Sequence, residues 1–93
     1  MKTVYEIRDV STGKLYKAPY GCRFVYAKMR QEKKILALKL LSDILRVFPE
    51  SAKVLDLFEV EYNENGDESQ KWLVWGGRHN LPADIEHIIL FDR

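Results

Sequence analysis

Few residues in this chain are of types that could do bond-making chemistry. Cys22, His79 and Asp84 supply a thiol, an imidazole and a carboxylate, the set that a nucleophilic site requires. Their spacing does nothing to bring them together, and no activating motif surrounds Cys22. The thiol therefore reads as a small buried hydrophobe. His79 and His87 with Cys22 are too few ligands, at no recognised metal spacing. Asp84 and Glu86 are adjacent-but-one carboxylates of the kind found on ordinary surfaces. Gly76-Gly77 follows an expected strand but lacks the further glycines and the helix start of a phosphate loop. It reads as a bend that turns Trp75 out of the sheet. The sequence thus points to no catalytic residue, metal, cofactor or small-molecule substrate, and the expected class is not an enzyme.

Binding chemistry is better represented. The chain has 15 basic and 14 acidic residues, a net charge of +1. The balance is a sum of two opposed segments. Lys14 to Arg46 holds nine bases and two acids, whereas Glu50 to Glu68 holds seven acids and one base. Lys28, Arg30, Lys33, Lys34 and Lys39 are candidates for a basic face on one helix. Tyr20, Phe24 and Tyr26 lie nearby for base stacking. The alternative readings of this charge are a solvated surface or the docking of one subunit's acidic hairpin on another's basic helix. The apolar counterpart is a hairpin carrying two tryptophans. Leu55, Trp72 and Trp75 are its candidate anchors for a protein partner or a second copy.

The elements that must position these groups follow from periodicity. Thr3 to Val10 reads as a strand and Leu15 to Lys17 as a second, joined through Ser11-Thr12-Gly13-Lys14 as an antiparallel hairpin. Ala37, Leu38, Leu41, Ile44, Leu45 and Phe48 recur at helical spacing, and Pro49 ends that helix. With no breaker between Cys22 and Arg30, the helix is expected to begin near Arg23, giving about 26 residues and near 39 Å. The competing assignment makes residues 23–29 a strand, because a domain of this length is only about 25–30 Å across. Lys53 to Tyr62 and Gln70 to Trp75 read as a hairpin. Asn63 faces Asp67 across a loop with Gly66 at its left-handed position. Continuing that register sets Glu59 against Lys71, Phe58 against Trp72, Leu57 against Leu73 and Leu55 against Trp75. Both faces at its base are then apolar, and one helix covers only one of them. Leu81 to Asp84 reads as a short helical turn. Glu86 to Phe91, with β-branched Ile88 and Ile89, reads as a buried strand.

Val4-Tyr5 and Leu15-Tyr16, flanking Thr12-Gly13-Lys14, resemble the N-terminal hairpin of GIY-YIG nucleases. The resemblance covers about 15 residues. No glycine precedes Val4, and Lys17-Ala18 stands where the second motif has Ile-Gly. It would imply a nuclease with a helix arginine at Arg23 or Arg30, the third of the functional readings.

These readings combine into one small globular α+β domain spanning residues 1–93. A largely antiparallel sheet, two hairpins plus a C-terminal strand, packs on one long amphipathic helix in the order β-β-α-β-β-β. One cysteine excludes an internal disulfide scaffold, and 46% hydrophobic residues are too many for a disordered tail. Met1 to Val10 lacks the apolar stretch of a signal peptide, and no run approaches membrane-spanning length, so a cytoplasmic location is expected. The leading expectation is a non-enzymatic binding or regulatory protein, of the bacterial or phage accessory type. It acts through a partner protein or as a homodimer, with nucleic-acid binding as the alternative and no membrane contact.

Overall fold

The computed structural model describes residues 1–78 and 84–91. It is α+β, with a four-stranded antiparallel sheet and one main helix. β1 (Lys2–Asp9) lies inside the sheet between β2 (Arg30–Gln31) and β3 (Leu55–Tyr62), and β4 (Glu68–Gly76) forms the far edge. α1 (Lys34–Val47) packs on one face, a 3-10 turn (Pro49–Lys53) leads into β3, and α2 (Asp84–Phe91) packs against α1. Among the described residues, no helix is long and apolar enough to cross a membrane.

The core forms where the apolar stripe of α1 meets the sheet. Ala37, Leu38, Leu41, Ile44 and Leu45 pack with Ile7, Leu55, Leu57 and Trp75. This is the stripe read from the sequence, and its end at Pro49 is as expected. Its start is not. The helix has 14 residues and begins at Lys34, so residues 23–29 are neither helix nor strand. Short turns fill that segment: the Cys22 amide donates to the Pro19 carbonyl, Val25 to Cys22 and Ala27 to Phe24. Gly21, at φ 85°, starts them. Phe24 and Met29 both bury in the core, and five-residue spacing does not lie on one stripe of a helix. A helix of 14 residues spans about 21 Å, which fits the domain where 39 Å would not.

The expected N-terminal hairpin shrinks to a single bridge between Arg8 and Leu15, with the Tyr16 amide donating to the Ile7 carbonyl. Gly13 takes its left-handed turn, at φ 72°. β1 instead pairs along its whole length with β3, from Lys2 opposite Tyr62 to Asp9 opposite Leu55. The expected C-terminal strand is a helix. Ile85, Ile88 and Ile89 stand at i, i+3 and i+4, with Asp84 and Glu86 in the first turn at the favourable end of the dipole. That periodicity outweighs the β-branched propensity used to assign a strand. The Leu81–Ala83 part of the expected helical turn lies outside the described residues.

The β3–β4 register begins as expected and then departs. The Asn63 amide donates to the Asp67 carbonyl at 2.9 Å, with Gly66 at φ 83°. Two bulges on β4 each add a residue, so Glu59 faces Trp72, Phe58 faces Leu73 and Leu57 faces Trp75. The second bulge, at Val74, turns Leu73 to the open face and Trp75 to the helix. Gly77 follows directly, its amide donating to the Leu55 carbonyl at 3.4 Å. A Cβ at Gly77 would overlap the Ala52 carbonyl in the 3-10 turn. Gly77→Ala must therefore separate two backbones, and is expected to destabilise by about 3 kcal/mol or more. Thermal unfolding checks this, and a variant as stable as the parent refutes the close packing.

Candidate functional site

The sheet face away from α1 carries Val4, Glu6 and Arg8 from β1, Asp56, Phe58, Val60 and Tyr62 from β3, and Arg30 from β2. The sequence predicts a second apolar face here, uncovered by the helix. Instead it holds a charged cluster centred on Glu6, whose surface is 1% exposed. Glu6 Oε1 accepts from Arg8 Nε at 2.9 Å and Nη2 at 2.8 Å. Its Oε2 accepts from Arg30 Nε at 2.7 Å and the Tyr62 hydroxyl at 2.6 Å. Arg8 Nη2 also donates to Glu68 Oε1 at 2.6 Å. Two cations approach the Phe58 ring, Arg8 at 5.7 Å and Lys71 at 4.7 Å from its centre.

Burial pushes the Glu6 carboxyl up. The hydrogen bonds from Tyr62, Arg8 and Arg30, with the charge of Arg8, outweigh it and leave its pKa below the usual value. Arg30 is held above its ordinary value by the bond to Glu6. The cluster binds two arginines with two carboxylates, and every Glu6 oxygen is occupied. It fixes Arg30 in place rather than activating a proton. Sequence reasoning missed it. The available signal was Glu6 and Arg8 two apart on one face of a strand, alternating with Tyr5 and Ile7.

The expected anchors separate. Leu55 and Trp75 are fully buried in the core and present no surface to a partner. Trp72 is 44% exposed and its neighbour Leu73, which the sequence reading did not single out, is 46% exposed. They stand on opposite faces of β4, the last strand of the sheet.

The basic residues also separate. Lys28, Arg30 and Lys33 line one cleft of about 450 Å³ together with Lys2, between β1, β2 and the first turn of α1. Lys39 lies elsewhere, in a hollow with Asp43, Arg46 and Glu86. Lys34 opens α1, half-buried, outside the cleft lining. Because β2 replaces the expected helix here, the five do not share a helical face. Tyr20 and Tyr26 are exposed, whereas Phe24 is buried and unavailable for stacking.

No protein-family model, curated protein or solved structure matches the chain. The residues themselves carry the functional argument. Cys22 is half-buried beside Tyr16, whose hydroxyl burial holds above its usual pKa, helped by the charges of Cys22 and Asp9. Asp84 opens α2, His87 is exposed on it, and His79 lies outside the described residues. Among the described residues no group of three metal-ligating side chains forms. Of the two arginines suggested by the nuclease resemblance, Arg30 is engaged by Glu6 and Tyr62. Arg23 lies 5.0 Å over the Phe24 ring.

Proposed function

We propose that this chain is a non-enzymatic binding protein that associates with a second copy of itself by pairing strand β4 edge to edge. The observation behind this reading is an edge strand that exposes Trp72 on one face and Leu73 on the other. The sheet ends there, with no further strand beside β4 among the described residues. An edge of this kind is a template for another strand, and a neighbour would cover both side chains at once.

The register follows from charge and face. Antiparallel pairing of two copies about a two-fold keeps each face continuous, so open-face residues oppose open-face residues. Centring on Lys71 would set Lys71 against itself, a like-charge pair. Centring on Trp72 sets the two indoles together and lays Leu73 over the stem of the other copy's Lys71. The bulges at Ser69 and Val74 bound this stretch and limit the pairing to one register.

The expected result is a species of twice the 10.9 kDa chain mass in size-exclusion chromatography with light scattering. Trp72→Arg should return it to the monomer without loss of helical signal. A parent protein that stays monomeric at the highest concentration reached sinks the reading. A second reading, nucleic-acid binding, is favoured by one observation, the convergence of Lys28, Arg30 and Lys33 on one cleft with Lys2.

A further inference from the structure

We infer that the cleft between β1, β2 and the start of α1 binds single-stranded nucleic acid, its phosphates on Lys2, Lys28, Arg30 and Lys33 and its bases on Tyr20 and Tyr26. The cleft holds those four cations against one acid, Glu32. Glu32 pairs with Lys2 at 3.2 Å through well-exposed side chains, an interaction of small value that an incoming phosphate displaces readily. Arg30 is already oriented. Glu6 holds its Nε and the Tyr62 ring lies 5.3 Å below it, yet its side chain remains 52% exposed. A guanidinium fixed on one side and open on the other meets a phosphate with little loss of entropy.

The helix start reinforces this. α1 has no acidic residue in its first turn and no side-chain cap at Lys33, and Lys33 and Lys34 flank its positive end. Cations there oppose the helix dipole, and an anion in the cleft would relieve the repulsion. On its own this would specify only an anion. The tyrosines supply the second part. Tyr20 is 100% and Tyr26 94% exposed, and the two line one hollow of about 370 Å³ with Arg23. Tyr26 stands two residues before Lys28, within about 7 Å of chain. Exposed aromatic rings on the segment that leads into a cationic groove suit unpaired bases, which have free faces to stack. A duplex hides those faces. Glu64 lines the hollow on the other side of Arg30 and Lys2, so the strand runs from the cleft toward Tyr26, away from the acidic hairpin tip.

This site lies at the β2 end of the sheet, opposite β4. It does not depend on self-association, and a dimer through β4 would leave both clefts open.

Fluorescence anisotropy of labelled oligothymidine and oligouridine of about 12 nucleotides tests the inference across a salt series. The expected slope of log affinity against log salt is about −2 to −3, for three or four neutralised phosphates on a single strand. Charge reversal by Lys28→Glu with Lys33→Glu should lower affinity at least about tenfold and flatten the slope by about 1.4. Tyr26→Ala should lower affinity about tenfold and leave the slope unchanged. Lys39→Glu, in a separate hollow, should leave binding near that of the parent, and Trp72→Arg should leave binding to these short strands intact even where it abolishes the dimer. Circular dichroism confirms the fold of each variant. Absence of binding at the lowest salt overturns the inference. So does equal loss from Lys39→Glu, or equal displacement by polyglutamate of matched length, which would mark an acidic-peptide site.

Discussion

Glu6→Gln is expected to destabilise the protein by about 3–5 kcal/mol, a large fraction of the roughly 5–14 kcal/mol available to a chain of this length. The substitution barely changes shape. It removes the charge that Arg8 and Arg30 share, and the Arg8 side chain is only 10% exposed. Buried Arg8 keeps only the part-exposed Glu68 as a counter-charge, and an under-compensated buried guanidinium is the costly outcome, whereas replacing the cluster as a whole by apolar side chains of similar volume need not be. The pH dependence follows from the same bonds. Burial raises the Glu6 pKa, but the donors Tyr62, Arg8 and Arg30 lower it further, so the folded value lies under the reference of 4.5. A depressed carboxylate contributes its full stability above the unfolded value, and loses it as pH falls through the folded one. The parent should weaken below about pH 4.5, and Glu6→Gln should lack this component. Urea unfolding at neutral and acid pH measures both. A variant within about 1 kcal/mol of the parent at neutral pH, or with the same acid dependence, would show that the carboxylate contributes little.

This cluster marks where the sequence ceases to be legible. α1 was readable because six apolar residues fall on one stripe and Pro49 closes it. The Asn63–Asp67 turn was readable because Gly66 must adopt positive φ there. Glu6 was not, since an acid alternating with apolar residues on a strand looks like a solvated position. Its burial depends on Arg30 and Tyr62, which are 24 and 56 residues away. The Val74 bulge was equally hidden, because no local residue type demands it. It arises from Trp75 seeking the core while Phe58 and Leu73 stay on the open face. β2 illustrates a third limit. A two-residue strand has no periodicity to read, yet it decides that Lys28, Arg30 and Lys33 form a cleft instead of a helix face.

The two tryptophans, three residues apart and alike to any reading of composition, should respond oppositely to truncation. Trp75→Ala is expected to cost about 3–5 kcal/mol, as it empties the centre of the core beneath α1. Trp72→Ala is expected to cost about 1 kcal/mol or less, because nearly half of its side chain is already in water. Trp75→Phe should lie between them. Among the described residues the Trp75 Nε1 has no hydrogen-bond partner, so removing that N–H recovers about 1–3 kcal/mol of desolvation against the lost volume. Fluorescence separates the pair. Iodide should quench Trp72 in the monomer and leave Trp75 untouched, and dimerisation through β4 should protect Trp72. The comparison bears on function through the reach of the helix. α1 covers the base of the hairpin at Leu55, Leu57 and Trp75 but stops short of Glu59 and Trp72. Equal destabilisation by alanine at 72 and 75 would mean that the helix covers the whole face. No anchor would then remain at the β4 edge, and self-association would have to run through another surface.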